Sequence, residues 1–544
     1  MSASRCVLPK SGEYQDVYRA FEWPAPERFN IAREICDRWA EAEPDRLAII
    51  HKTPAGPLAH ISYGELYARA NALANALRCA GIAKRDRVAL LMPQCPQTAI
   101  THIAAYKLGS VAVPLASLFG HDALEFRLNN SGARTIVTDA AGLAKISKIR
   151  QKLEHLELII SIDGAKDGAL DFDTFCEGHS KNFKTEDTLP EDWAVMVYTS
   201  GTTGPPKGAL HAQRILLGHL PGVEFSHDFF PIEGDLMWTP ADWAWAGGLF
   251  NIMLPALYYG VPLLAGSFTK FDPEKAFALM EEAGVRNVFI PPTALRLLRA
   301  VENPSQRYKL SLRTVASGGE TLGRETLQWG RDSLGLTINE FYGQTECNYV
   351  LASCAKIGVV KPGSIGKAVP GHTVGIIDEA GNEVGPGELG QIAVKRPDPV
   401  MFLGYWQQPE ATDEKFIGDW MITGDQGMID EQGFISFVGR DDDVITSAGY
   451  RIGPGEIEDC LLKHPAVRLA AAVGIPDTVR TEIVKAFIVL TPGFSSSPEL
   501  KKELGAFVRE HLSAHEYPRE IEFIDEMPLT ATGKVIRRYL REQA

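Results

Sequence analysis

The chain lacks a paired cysteine motif. Its eight cysteines (Cys6, Cys36, Cys79, Cys95, Cys176, Cys347, Cys354 and Cys460) are scattered, with no C-x-x-C spacing. That argues against a zinc cluster and against the disulfide framework of a small secreted domain. Met1 to Tyr14 contain no apolar signal core, so a reducing, cytoplasmic location is expected. The most apolar segment, Gly247 to Gly266, is interrupted by Asn251, Pro255, Gly260 and Pro262 and lacks cationic flanks. It predicts buried strand and helix pieces, with no stable membrane insertion. Positive charge is in deficit: 55 Lys and Arg against 69 Asp and Glu give a formal charge of -14. Nucleic acid and anionic lipid are therefore not expected as partners. There is neither a fixed-period repeat nor a low-complexity tract.

What is present is an ordinary globular composition, 45% hydrophobic and 23% charged, in 544 residues. That length exceeds one hydrophobic core and implies at least two domains. Ile31, Ile35, Trp39 and Ala42 share a face of a helix predicted over Phe29 to Ala42. Ser62, three residues before Glu65, reads as the cap of an alanine-rich helix reaching Leu77. Short strand candidates at Val88–Met92, Val111–Val113 and Thr135–Thr138 alternate with helix-like stretches. The pattern returns at Ala194–Tyr198, Asn287–Ile290 and Thr314–Ala316, as expected of helices covering parallel strands. Leu389–Val394 and Phe434–Gly439 look more β-rich. Gly439 to Asp443 breaks the hydrophobic pattern, and beyond it a helix at Ile457–Leu462 and strands at Ala470–Gly474 and Val484–Leu490 suggest a small α+β domain.

The densest chemistry lies in Tyr198-Thr-Ser-Gly-Thr-Thr-Gly-Pro-Pro-Lys-Gly208, directly after an apolar run. Hydroxyls, Gly-rich backbone and a lysine together suit the oxygens of a polyphosphate. A Walker loop is excluded because Lys207 is followed by Gly208. An ordinary polar surface turn is the competing reading.

This loop resembles the phosphate loop of the adenylate-forming acyl-CoA synthetase superfamily. Six further segments resemble that family in chain order: Ser317-Gly-Gly-Glu320, Asn339-Glu-Phe-Tyr-Gly-Gln-Thr-Glu346, Thr423-Gly-Asp425, Gly439-Arg-Asp-Asp-Asp443, Gly449-Tyr-Arg-Ile452 and Pro528-Leu-Thr-Ala-Thr-Gly-Lys534. The stretch from Phe29 to Trp39 is similar to the amino-terminal region of acetyl- and medium-chain acyl-CoA synthetases. The resemblance spans essentially the whole chain. It implies an α/β fold with a large multi-layer domain (1–438) containing parallel sheets and a β-rich portion, a hinge (439–443), and a small mobile α+β lid (444–544). It also implies ATP-dependent conversion of a carboxylic acid to acyl-AMP and then to acyl-CoA, with ATP and Mg²⁺ required and CoA as second substrate.

The resemblance carries roles onto individual residues. Thr199, Ser200, Gly201, Thr202, Thr203 and Lys207 become the phosphate cradle. Thr345 becomes a phosphate donor and Glu346 an oxygen ligand for Mg²⁺. Gly318, Gly319, Glu320, Phe341 and Tyr342 are expected around adenine and ribose, with core packing as the alternative for the aromatics. Asp425 offers two acceptor oxygens to the ribose hydroxyls, or else forms a turn, and Arg440 adds a nucleotide contact or a surface ion pair. Lys534 is expected to offset charge as the carboxylate meets the α-phosphate; a solvated basic tail with Arg537, Arg538 and Arg541 is the plainer reading. Asp442 matches the hinge, Gly449 a pantetheine tunnel and Arg451 a phosphate contact. A static linker at Asp442 and a tight turn at Gly449 remain alternatives.

For the acid, Trp245 is a pocket wall or a core tryptophan. Gly343 stands where acetyl-CoA synthetases carry a tryptophan that closes the acyl pocket, and so implies a larger cavity. Asn348 and Tyr349 add polarity or shape. The expected substrate is a short- to medium-chain acid, branched or functionalised. Aromatic-acid ligation and loading of a separate carrier protein are the alternatives. Natural acid, pathway and homo-oligomer formation are left open by the sequence.

Overall fold

The computed structural model describes residues 6–10, 12–53, 56–199, 206–266, 268, 270–440, 443–447, 450–477, 481–511, 517–530 and 534–544. Two large sheets dominate. The first runs, in spatial order, Gly404–Tyr405, Lys207–Ala212, Trp193–Thr199, Val111–Pro114, Arg87–Leu91, Thr135–Thr138, Leu158–Ser161 and Leu170–Asp171. From Trp193–Thr199 onward its neighbours are parallel. Val111–Pro114 and Thr135–Thr138 are buried at every position, as strands covered on both faces must be. The second sheet has nine strands, with Ile338–Gln344, Thr314–Gly318, Asn287–Phe289, Met237–Trp238 and Leu263–Ala265 forming its parallel centre.

One continuous hydrophobic core contains Ala112 and Val195 from the first sheet and Leu263, Ala316 and Val350 from the second. Between them lies the helix Ile215–Ser226, every residue of which is buried. A smaller antiparallel sheet, Val374–Ile377, Gly390–Lys395, Trp420–Ile429, Phe416–Ile417 and Ile435–Arg440, supplies the β-rich portion. The last sheet takes Ile445–Ser447, Tyr450–Ile452, Val467–Asp477, Thr481–Leu490 and Glu520–Phe523. Its two faces pack into cores drawn only from Ile445 and later residues.

Ser62 caps the helix Tyr63–Cys79 as its spacing predicts: its Oγ accepts from Glu65 N at 3.2 Å, and its own N donates to the Glu65 carboxylate at 2.8 Å. Phe29 to Ala42 departs from a plain α-helix. Arg33–Asp37 forms a π-helical turn before the α-helix Arg38–Ala42. The buried Asp37 carboxylate beside that turn pairs with Lys107 and accepts from Thr185 at 2.6 Å. Gly247 to Gly266 is broken as expected, into a π-helical turn Leu249–Met253, a helix Leu254–Tyr259 and a strand Leu263–Ala265. No helix of the described residues is long and apolar enough to cross a membrane.

Candidate active site

The phosphate-loop candidates sit at the tip of a hairpin. Trp193–Thr199 pairs antiparallel with Lys207–Ala212, bringing Thr199 opposite Lys207. Ser200, Gly201, Thr202 and Thr203, at the tip, lie outside the described residues. Tyr198 anchors the base of the loop, its buried hydroxyl donating to Asn130 Oδ1 at 2.7 Å. Lys207 directs its Nζ over the ring of Tyr405, 5.0 Å from the centroid. The Tyr405 hydroxyl in turn donates to Glu346 Oε1. Burial, together with the Glu346 charge, holds that phenol well above its ordinary pKa, so it remains a donor. Tyr405 therefore ties the loop lysine to the carboxylate. It belongs to none of the segments that carried the resemblance, and only the edge strand Gly404–Tyr405, paired to the loop hairpin, brings it there.

Glu346 is 7% exposed and sits with Thr345 in the turn between the strands Ile338–Gln344 and Cys347–Ala352. Among the described residues no group of three or more His, Cys, Asp or Glu side chains is placed to hold a metal ion. A single hard carboxylate beside phosphate-binding groups nevertheless fits Mg²⁺, which is commonly held by one or two carboxylates plus substrate phosphates.

The nucleotide candidates converge from two sheets. Gly318 ends a central strand, and a Cβ there would fall 2.5 Å from the Phe341 carbonyl oxygen, so glycine lets the neighbouring strand close in. Gly319 follows at φ +95°, turning the chain toward Glu320. Both Glu320 carboxylate oxygens accept from Thr293 Oγ1 at 2.9 Å, and Arg296 lies 3.2 Å from Oε2. From the smaller sheet, Asp425 and Arg440 are cross-strand partners, with Nε 3.8 Å from Oδ1. Tyr342 donates its hydroxyl to Asp425 Oδ2 at 2.5 Å. Burial raises the Asp425 pKa, against the opposing pull of Tyr342, Arg440, Lys534 and Lys415. Phe341 stacks on Tyr349, centroids 4.1 Å apart, and packs within the hydrophobic core.

Lys534 belongs to the small carboxy-terminal part, in a turn fastened by Thr530 N to Lys534 O at 2.7 Å and by Lys534 N to Thr530 Oγ1 at 3.0 Å. The residue as a whole is exposed, yet protein crowding lowers the pKa of its amine. Glu320 and Asp425 pull that pKa back up, and Arg440 depresses it further. The lysine thus faces the same carboxylates as the nucleotide candidates. Its basic neighbours are not a solvated tail. Arg537 binds Glu458 at 2.7 Å and Arg541 pairs with Asp443, fastening the last helix beside the 439–443 break, whereas Arg538 makes only an exposed pair with Glu542. Asp459, on the helix Pro454–Leu461, lies against Gly323 of the large part, where a Cβ would be 3.2 Å from Oδ1. Asp442 and Gly449 lie outside the described residues, and Arg451 is described only through its strand Tyr450–Ile452.

The acid-side candidates are brought together differently from expectation. Trp245 packs edge-on to Phe119 at 5.7 Å and remains half-buried. Gly343 does not open onto free space: a Cβ would lie 2.4 Å from Tyr349 N and 2.6 Å from Asn348 Cα. Glycine suits this close approach of the hairpin backbone, and a side chain here would require the neighbouring strand to shift. Tyr349, at φ +65°, is fully buried and bonds Ser226 at 2.6 Å. Asn348 donates to Asn251 Oδ1 at 2.7 Å, a partner that sequence reasoning treated only as a break in an apolar run.

The family model described as AMP-binding enzyme matches residues 36–406, and that described as AMP-binding enzyme C-terminal domain matches 456–534. The chain is 36% identical to acetyl-coenzyme A synthetase of Bacillus subtilis (strain 168), over 97% of this chain and 94% of that one. It is 33% identical to the mitochondrial acyl-coenzyme A synthetase ACSM3 of Rattus norvegicus, over 99% and 95%. The crystal structure of the anthranilate CoA ligase AuaEII with anthranoyl-AMP matches with TM-score 0.87 at 28% identity, over 95% and 98%. The two-sheet body, the small terminal sheet and these matches agree: the chain belongs to the AMP-binding enzyme family and is an AMP-forming acyl-CoA synthetase that uses ATP, Mg²⁺ and CoA.

Proposed function

We propose that the enzyme activates a short- to medium-chain carboxylic acid with a branched or functionalised tail. Residues 444–544 act as a lid on the 1–438 body, turning about Asp442 within a 439–443 hinge, and Lys534 is the catalytic cation of the first half-reaction. The supporting observation is that Glu320, Asp425 and Arg440 all act electrostatically on the Lys534 amine, Asp425 and Arg440 from the smaller antiparallel sheet and Glu320 from just after the strand Thr314–Gly318. In adenylation, a carboxylate oxygen attacks the α-phosphorus and the bond to pyrophosphate breaks. The Lys534 ammonium offsets the charge where two anions meet, an effect that grows as water is excluded. Lys207 and the Thr199 to Thr203 hydroxyls hold the departing phosphates. Thr345 donates to phosphate, and Glu346 holds Mg²⁺, which supplies charge neutralisation. Tyr342 keeps Asp425 oriented toward the ribose.

In the second step a thiolate attacks the acyl carbon, AMP leaves, and the thiol proton passes to solvent. Gly449 and Arg451 are assigned to pantetheine passage and CoA phosphate. Free CoA is preferred to a carrier-bound thiol. A reducing, cytoplasmic location belongs to this reading, resting on the scattered cysteines and the lack of C-x-x-C spacing in the sequence. Pyrophosphate release with acetate, butanoate, hexanoate, octanoate and benzoate, with and without CoA, tests the acid range. The highest kcat/KM is expected between butanoate and octanoate, and an optimum at acetate or benzoate overturns that range.

A further inference from the structure

Two of the segments that bear the nucleotide candidates are joined side chain to backbone. Gln344 ends the strand Ile338–Gln344 of the second large sheet, one residue before Thr345. Thr423 lies in Trp420–Ile429 of the smaller sheet, two residues before Asp425. Gln344 Nε2 donates to the Thr423 carbonyl oxygen at 2.9 Å. Lys415 closes the third side: its Nζ donates to Gln344 Oε1 at 3.3 Å and to the same carbonyl oxygen at 3.5 Å. Both ends of the glutamine amide are thus used at one junction, which fixes its orientation.

The contacts continue to the carboxylate. Asp425 N donates to Thr423 Oγ1 at 3.1 Å, and that hydroxyl donates to Ile392 O at 2.7 Å. A displacement of Thr423 is therefore carried directly to Asp425. Lys415 is itself fixed at its backbone, where its carbonyl accepts from Ile422 N at 2.8 Å, immediately before the strand Phe416–Ile417. Its side chain is half-buried, and both of these acceptors are neutral oxygens, so its charge is not cancelled at the junction. It acts instead on Asp425 and on the buried Cys347 thiol, opposing in both the effect of burial. Hydrogen-bonded junctions of this kind hold their members more firmly than any one pair would.

We propose that Lys415 is a positioning residue for nucleotide recognition: its ammonium clasps Gln344 to Thr423 and so holds the Thr345–Glu346 turn and the Asp425 carboxylate in register for one bound ATP. Without the cation, Gln344 Oε1 loses its donor and the segment leading to Asp425 is held from one side only. The inference rests on the reading of Asp425 as the acceptor for the ribose hydroxyls, and adds the group that keeps it in place.

The test is calorimetric titration with Mg·ATP and with Mg·2′-deoxy-ATP, with no acid present, so that its result is independent of the acid range. Wild type is expected to prefer ATP by about tenfold, because a charged acceptor aligned on a hydroxyl rejects the analogue lacking it. Lys415→Met and Lys415→Gln each remove the cation, and either one, if folded, reads the test. The preference is expected to fall by about threefold or more, whereas a merely structural disturbance weakens both nucleotides alike and leaves their ratio unchanged. A smaller fall in a folded variant overturns the positioning role while the ribose reading of Asp425 stands. Loss of the fold in both variants also overturns it, making Lys415 a residue of stability alone. A wild-type preference below about threefold removes the ribose reading, and the positioning role with it.

Discussion

Lys534 and Gly343 show how differently two small motifs transmit their meaning. Glu320, Asp425 and Arg440 act on the Lys534 amine, and its catalytic role is the proposal that they support. Lys534→Ala should reduce acyl-adenylate formation by at least about a hundredfold, the scale of losing a positioned electrostatic group. Transfer from supplied acyl-adenylate to CoA should be spared, and separate half-reaction assays check the split; equal losses in both would remove the assignment. Gly343 was legible as a departure from a motif, but its cause was not, because the atoms that exclude a side chain belong to the opposite strand. Gly343→Trp should destabilise the fold by about 1–3 kcal/mol through overpacking, visible as a lower Tm. An unchanged Tm would mean that the hairpin yields easily. Tyr405 was invisible in sequence for the same kind of reason, since its link between Lys207 and Glu346 depends on an edge strand recruited from far along the chain.

Among the elements, strands were more legible than helix irregularities. Thr135–Thr138 matches its predicted span because buried parallel strands are short apolar runs. Val467–Asp477 and Thr481–Leu490 extend beyond their apolar centres because they pair with each other along almost their whole length. The π-helical turns were not legible, as one inserted residue leaves composition unchanged. The buried helix Ile215–Ser226 carries one further consequence. Its Glu224 accepts from Val7 N at 2.6 Å, Leu8 N at 2.9 Å and Tyr259 at 2.6 Å, tying the amino-terminal segment to the core. Burial pushes its carboxyl up to about 7 from an ordinary 4.5, despite these donors. The folded state therefore holds a proton that the unfolded chain releases between those values, so this contribution to stability is present at low pH and is lost as pH rises through about 7. The Tm advantage of wild type over Glu224→Gln should be larger at pH 5 than at pH 8. A constant difference would refute the linkage.

For the whole molecule, the proposed division into a 1–438 body and a 444–544 lid rests on the break at Gly439 to Asp443, which says nothing of how the two parts meet. The contact of Asp459 with Gly323 and the fastening of Arg541 to Asp443 are long-range products of folding. If the lid turns at Asp442, Asp442→Pro should slow one or both half-reactions by about tenfold or more without abolishing nucleotide binding, since hinge changes act on kcat and KM through closure. Stopped-flow assays of each half-reaction provide the check, and wild-type rates in both would discard the hinge.

Lys534 lies beyond the strand Glu520–Phe523, far along the chain from Glu320, Asp425 and Arg440, and its proposed role has a further consequence for energy economy. Under the proposed division, a nucleotide resting on residues 1–438 alone lacks the Lys534 cation. On that proposal, cleavage of ATP would be conditional on a transient alignment of the two parts, and holding residues 444–544 away from 1–438 would suppress idle turnover even at saturating nucleotide.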